Sequence, residues 1–449
     1  MRFLLPFFVF TIILISFAAA SGENLHLAAP QILSGVTGDM TTPGYWIAKH
    51  PAPDALIMNE RQIAAFNQNS IKQGLIEDFR EPPEIMPGNK ISALLQAIGD
   101  DFKKHTYYNS KSETVDPAFI TGFDRESAAI SEKVAVRYGY IVRNTDQRLL
   151  PTADALYLQP GDFDFDQNQN SRLAIGEPVL VLARSRDHDW LFVKGRISQG
   201  WVRTDAVATM SRDFFLSRAN TKRTLVVLSA RADLFGDRKL TQHLTSVRMG
   251  SLLAFKQVHP DAWEVEIPTR NTDGTVAFSP AFLAKTDANT GFLPFTPRTI
   301  FRQAFRLLDA PYGWGDANEA QDCSRFIQMV YACVGITLPR NSSEQGKTAN
   351  AIPGFTQDTP DNTKQALILE HATGGATLFL LPGHIMLYLG YSAGQPYVIH
   401  ATWAYRDKTE TGEDRVRLVA KVTISDLSLG TGSAKGSLLQ RLSSARNLK

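Results

Sequence analysis

The spacing of apolar positions changes along the chain, and each change predicts a different kind of element. An apolar run from Phe3 to Phe17, preceded by one Arg and followed by Ala18, Ala19 and Ala20, has the grammar of a cleavable export signal, so residues 1–20 are set apart from the fold. Residues 24–130 mix turn-rich stretches with short helical patterns. Asn59 is placed to cap a helix whose inner face is Ile63, Phe66 and Asn67, and Ile91, Leu94, Leu95 and Ile98 mark another helix. From 134 to 212 the pattern becomes short alternating runs broken by Pro, Gly and Asp, such as Pro178-Val179-Leu180-Val181-Leu182 and Trp190-Leu191-Phe192-Val193, which predicts a small β-barrel. Its order Gly176…Val179…Asp189-Trp190…Gly200-Trp201-Val202 returns as Gly250…Leu253…Ala262-Trp263…Gly274…Val276-Ala277, which predicts a second barrel over 221–290.

From 295 to 449 the helical period returns. Ile300, Phe301, Ala304, Phe305 and Leu308 share one face of a helix that stops before Pro311. After Pro311-Tyr312-Gly313-Trp314-Gly315-Asp316, the triplet Asp322-Cys323-Ser324 opens a second helix with Phe326, Ile327, Val330 and Val334 at helical spacing and Gly335 as its stop. Farther on, His384-Ile385-Met386-Leu387-Tyr388-Leu389-Gly390 and Tyr397-Val398-Ile399-His400 flank the turn Ser392-Ala393-Gly394-Gln395-Pro396, a hairpin. A turn centred near Ser392 would set His384 directly across from His400 on one face, and a slip of one residue would separate them.

A chain of 449 residues with 43% apolar content exceeds what one hydrophobic core usually serves, so several domains are expected. Lys plus Arg total 47 against 45 Asp plus Glu, a balance that gives nucleic acid no support. No stretch after the export signal has the ~20 apolar residues of a membrane span. Asp162, Asp164, Asp166 and Asn168 imitate a calcium loop, but Gln167 stands where such a loop needs Gly and Leu173 where it needs Glu, so calcium is rejected. Zinc spacings are absent, and neither metal nor cofactor is implied.

The two cysteines, Cys323 and Cys333, lie ten positions apart in one helical segment. Ten helical residues rise ~15 Å, whereas a disulfide needs Cα atoms within ~7 Å, so both are expected to be free thiols. Cys333 reads as an inert core residue. Cys323 sits at a helix N-terminus, where unpaired N–H groups and the helix dipole are expected to lower its pKa and favour the thiolate. A thiol nucleophile needs a base and a group to orient that base, which His384 and His400 could supply.

The blocks Pro311-Tyr312-Gly313-Trp314-Gly315, Asp322-Cys323-Ser324, Leu338-Pro339-Arg340-Asn341-Ser342-Ser343, Gly383-His384 and Ile399-His400 resemble, in this order, the NlpC/p60 family of peptidoglycan cysteine peptidases. The whole is similar to its multidomain α+β members, in which a partly helical stabilising region and two SH3-like barrels precede a papain-like α+β catalytic domain. The resemblance implies hydrolysis of the γ-D-glutamyl to L-diamino acid bond of stem peptides or cell-wall fragments. It makes Cys323 the nucleophile, His384 the base and His400 its orienting partner, with Tyr312, Asp322 and Ser324 lining the substrate pocket. Asp322 could contact a free L-alanine amine. Gly375-Ala376 departs from the Gly-Asp that many relatives carry. An amidase or acyl transferase of the same fold and a non-catalytic cell-wall binding protein remain open alternatives. By analogy the compartment is the periplasm.

Overall fold

The computed structural model describes residues 32–219, Thr221 and 223–449, and the export signal expected over 1–20 lies outside the described residues. No helix among the described residues is long and apolar enough to cross a membrane.

The N-terminal region carries a small cluster in which Phe102, Tyr107 and Ile120 pack with Leu150 and Leu156, and its other apolar residues join larger cores. Helix α1 (Pro43–Lys49) inserts Trp46 against Tyr397, and Met40, Trp46 and Met58 join the core of the C-terminal part. Helix α2 (Glu60–Lys72) begins at a capping box: Asn59 accepts the Gln62 N–H at 3.0 Å, and the Gln62 side chain accepts the Asn59 N–H at 2.9 Å. Helix α3 (Gly88–Phe102) instead buries Ile91 and Leu95, with Phe79, in the core of the first sheet. The region therefore braces two different parts of the molecule.

The first sheet has seven antiparallel strands: β1 (Arg137–Ile141), β2 (Thr145–Arg148), β3 (Gln169–Leu173), β4 (Pro178–Arg184), β5 (Trp190–Lys194), β6 (Gln199–Arg203) and β7 (Val207–Met210). Its order is β3-β2-β6-β5-β4-β1-β7. The second also has seven: β8 (Thr224–Val227), β9 (Arg231–Phe235), β10 (His243–Arg248), β11 (Leu252–Val258), β12 (Ala262–Arg270), β13 (Val276–Ala284) and β14 (Ala288–Thr290). Its order, β10-β9-β13-β12-β11-β8-β14, repeats that of the first strand for strand. Trp190 and Trp201 fill the core of the first sheet and Trp263 that of the second, so the recurring tryptophans of the sequence are packing residues.

In the C-terminal part, α4 (Pro297–Phe305) and α5 (Cys323–Ala332) pack on a six-stranded antiparallel sheet. Its strands are β15 (Asn350–Ala351), β16 (Thr377–Leu381), β17 (His384–Ser392), β18 (Gln395–Lys408), β19 (Asp414–Asp426) and β20 (Ser444–Asn447), in the order β15-β20-β16-β17-β18-β19. Phe326, Ile327 and Val330 of α5 are fully buried against Leu387 and Ile399 of the central hairpin. Past the end of α5, Gly335 adopts φ 85°, and the Asn67 side chain clamps the turn by donating to Gly335 O at 2.8 Å and accepting the Thr337 N–H at 2.9 Å. Ala376 is completely buried, so the Asp of other sequences would there be a carboxylate without water.

The β17–β18 hairpin corrects the expected register. Its two-residue turn is Ala393-Gly394, both at positive φ (48° and 76°), so Ser392 pairs with Gln395 rather than sitting at the centre. Leu389 is then left unpaired as a bulge, after which Tyr388 faces Val398 and Leu387 faces Ile399. Continued, that ladder sets His400 opposite Met386 and His384 opposite Thr402. The two histidines share a face as diagonal neighbours, not as a direct pair.

Candidate active site

Cys323 is the first residue of α5. Asp322 caps the helix with its side chain on the Arg325 N–H at 2.9 Å, which leaves the Cys323 N–H without an acceptor among the described residues. The thiol lies against the backbone N–H of Ile385, next to His384 in β17. Both cysteines are free, as expected, and Cys323 is buried as well as Cys333. The expected fall in the Cys323 pKa is overturned. Burial pushes the thiol up to about 12, the Asp322 charge adds to the rise, and the N–H groups of Ile385 and Ser324 oppose it without prevailing. Burial is the physical reason, and the cap adds to it by placing a carboxylate at the helix start that would otherwise favour a thiolate.

His384 Nε2 is 2.7 Å from His400 Nδ1, and His400 Nε2 is 3.2 Å from Ser425 Oγ of β19. Burial lowers the His384 pKa to about 4, with Arg441 adding and Asp322 opposing. Burial and the neighbouring His384 take that of His400, 1% exposed, well below its usual value. Both rings are therefore neutral near pH 7. With His384 Nε2–H donating to His400 and His400 Nε2–H donating to Ser425, the lone pair of His384 Nδ1 is free to act as a base.

Tyr312 is half-buried beside this group. Burial, and after it the charges of Cys323 and Asp322, keep its hydroxyl from ionising, and that hydroxyl has no hydrogen-bond partner among the described residues. Asp322 and Ser324 belong to a buried network around Arg340. Arg340 donates to Asp322 Oδ2 at 2.6 Å, Asp322 Oδ1 at 3.2 Å and Ser324 Oγ at 2.8 Å, and Ser324 Oγ donates to Asp322 Oδ1 at 2.9 Å. Burial alone would raise the Asp322 pKa, but the Arg340 charge and these hydrogen bonds outweigh it and hold the carboxylate below its usual range. A free amine at Asp322 would thus meet a carboxylate already neutralised. Arg340, seen in the sequence only as part of a motif, and Ser425 are the members that residue types alone did not reveal.

The first sheet forms one wall of this region. Arg340 Nε donates to Ser171 Oγ of β3 at 3.0 Å, and Gln169 donates to Gly315 O at 2.9 Å. Gly315 is at φ 60°, and a Cβ there would lie 2.6 Å from Gln169 O, so the position needs glycine both for conformation and for approach. Asp316, Asn318 and Glu319 also hold positive φ, strain that the Asp316 contacts to Arg325 (3.4 Å) and Arg248 (3.7 Å) help to fix. The false calcium loop has a use here. Asp164 accepts the Trp403 indole N–H at 2.8 Å, and Phe165 packs edge-on against Trp314 and Trp403.

Residues 309–417, which hold Cys323, His384 and His400, match the NlpC/P60 family. The chain carries an NlpC/P60 domain. Residues 156–203 match the SH3 domain of SH3b1 type, which identifies the first sheet. An NlpC/P60 endopeptidase from Photobacterium damselae subsp. piscicida has a similar structure, with 20% identity, a TM-score of 0.73, and 91% of this chain and 96% of that one covered. An NlpC/P60 family protein from Bacillus cereus ATCC 10987 aligns with 16% identity over 69% of this chain and 99% of that one, at a TM-score of 0.49. The bifunctional muramidase/DL-endopeptidase CwlT of Bacillus subtilis (strain 168) is 41% identical over 49 residues, 10% of this chain and 15% of that protein. Around its NlpC/P60 domain the chain is thus a multidomain protein of mixed helix and sheet with an SH3b domain on the N-terminal side.

Proposed function

We propose that the protein is an exported, periplasmic cysteine peptidase that hydrolyses the γ-D-glutamyl to L-diamino acid bond of peptidoglycan stem peptides. The observation that carries the reading is the thiol of Cys323 at a helix start beside the His384–His400–Ser425 chain, 2.7 and 3.2 Å between links. The Cys323 proton passes to His384 Nδ1 as sulfur attacks the amide carbon. The Cys323 N–H and the Tyr312 hydroxyl, neither satisfied among the described residues, would donate to the oxyanion. His384 then protonates the departing amine of the diamino acid, and the C–N bond breaks. Water, deprotonated by the same nitrogen, opens the thioester and frees the D-glutamyl carboxylate and the thiol. His400 orients the His384 ring, and Ser425 fixes the His400 tautomer.

The second sheet, with the strand order of the first, is read as a second SH3-like barrel. The loop between β2 and β3 packs through Phe165 and Asp164 on Trp403, three residues after His400, and we read this contact as favouring short stem peptides with a free N-terminal L-alanine over long strands. The test is mass spectrometry of L-Ala-γ-D-Glu-diaminopimelate incubated with the chain and with Cys323→Ala, beside an N-acetylated copy. Release of L-alanyl-D-glutamate by the native chain alone supports the bond assignment, and loss on acetylation supports the free amine. Release of peptide-free sugar strands from wall fragments would make it an amidase instead, and tight wall binding without turnover would make it a binding protein.

A further inference from the structure

Arg441 closes the short helix Leu438–Arg441, and two features of the C-terminal sheet set it beside His384. The first is register. Strand β20 runs antiparallel to β16, with Ser444 opposite Leu380 and the Ser443 N–H on Leu380 O at 2.8 Å, while Leu381 pairs with His384. Continued, that register brings the end of the helix level with Pro382-Gly383, the turn that leads into His384. The second is the face. Along β17, His384, Met386 and Tyr388 alternate to one side, and Met386 and Tyr388 share a core with Leu438, Leu439 and Leu442, whereas Ile385 and Leu387 share theirs with α5. The helix that carries Arg441 thus covers the face of the sheet on which His384 lies, and the lowering of the His384 pKa by the Arg441 charge agrees with that place.

Other cations of this part are engaged by the protein. Lys364 donates to the carbonyls of Gln357, Leu439 and Gln440 at 3.0–3.2 Å, Arg446 to Ser444 Oγ at 2.8 Å and Ala349 O at 3.3 Å, and Arg340 to Asp322. The guanidinium of Arg441, which is half-buried, has no hydrogen bond or ion pair with any described residue, and no carboxylate opposes the effect of its burial. Held beside the base, a lone cation disfavours the imidazolium that forms when Cys323 gives up its proton, and a carboxylate seated on the cation removes that penalty. The planar guanidinium suits a carboxylate in two parallel hydrogen bonds. The proposed reaction supplies one. The amine that leaves through His384 is borne on the L-centre of the diamino acid, and the carboxyl carbon of that centre is two bonds from the nitrogen. In a stem peptide that ends at the diamino acid the group is a carboxylate, and in a longer stem it is an amide.

We infer that Arg441 is a specificity-determining residue that pairs with the free carboxylate of the L-diamino acid, so that stem peptides ending at that residue are taken over longer ones; this rests on the bond assignment proposed above. The test is isothermal titration of the full chain carrying Cys323→Ala, which binds without cleaving. The probes are L-Ala-γ-D-Glu-diaminopimelate and the same peptide with the carboxyl group of the L-centre amidated. The acid is expected to bind at least about tenfold more tightly than the amide, the ratio to fall to about one when Arg441→Gln is added, and Arg441→Lys to lie between. Because the ratio compares two ligands on one protein, a partial loss of folded chain does not move it. A ratio near one with Arg441 present, a ratio that survives Arg441→Gln, or no saturation by the acid at about 10 mM would each overturn the inference. The bond assignment is read separately, from the products of the chain with Cys323 intact. Release of L-alanyl-D-glutamate with a ratio near one would refute the inference alone, and a tenfold ratio lost in Arg441→Gln without that release would refute the bond assignment alone.

Discussion

Replacing Arg340 by Met asks whether the helix start that presents Cys323 is held by a buried ion pair. Arg340 is 4% exposed, and its guanidinium spans Asp322, Ser324 and Ser171 with four hydrogen bonds of 2.6–3.2 Å. Met fills much of the same volume without charge, so the chief loss is the cation facing Asp322. Asp316, 3.9 Å from Nη2, loses one of its three guanidinium neighbours and keeps Arg248 and Arg325. Removing one partner of a buried pair costs about 3–5 kcal/mol, because the other charge stays without water. Asp322→Asn added to Arg340→Met removes that stranded charge and keeps a good helix cap, so the double variant should regain about 1–3 kcal/mol over the single. The sign with pH follows from linkage. The folded-state pKa of Asp322 lies below its unfolded value, so its stabilisation is present above about pH 4 and is lost as pH falls through the folded value. Without Arg340, burial raises the Asp322 pKa, so the gap between native chain and Arg340→Met should narrow as pH falls through the variant's raised value and be small below about pH 4. Equilibrium urea denaturation read by near-ultraviolet circular dichroism measures all three. A loss below about 1 kcal/mol, the size of an exposed pair, or a double variant no more stable than the single, would refute the reasoning.

Other outcomes follow from the same site. Because burial lowers His384 to about 4, the acid limb of kcat/KM for stem-peptide cleavage should fall near pH 4, and a limb at or above about 6.5 would show an exposed, unperturbed imidazole instead. Because burial pushes Cys323 up to about 12, its alkylation by iodoacetamide should be slower than that of a free cysteine at neutral pH and still rising at about pH 9. A plateau near neutrality would mean a preformed thiolate–imidazolium pair. His400→Leu should lower kcat by roughly 10²–10⁴-fold with little change in KM, and Ser425→Ala by about fivefold, the worth of one neutral hydrogen bond. Equal effects of the two would place the orienting role elsewhere.

Much of the site could be read from the chain because its parts are local. The cap at Asp322, the period of Phe326, Ile327 and Val330, and the two strands around Ala393-Gly394 each lie within a few residues of what they determine. What escaped depends on distant segments. Ser171 meets Arg340 from 169 positions away, and Ser425 reaches His400 across a strand pair. The Cys323 pKa moved opposite to expectation because burial, a property of the whole fold, outweighs the helix start, which is a property of the segment. The place of His400 on the correct face was anticipated through a wrong turn: the true centre of the hairpin is offset, and the Leu389 bulge restores the parity.

That bulge gives the hairpin one residue of slack, and only on one side. A one-residue deletion within 389–392 can be absorbed by drawing the bulge into a regular ladder, with Ala393-Gly394 still the turn and both histidines still on one face. The same deletion within 395–397 offers no such repair, because a regular ladder would then move the turn to Ser392-Ala393 and carry Gly394 into the strand, away from the left-handed position it fills. Length variation in this hairpin is therefore tolerable before the turn and damaging after it.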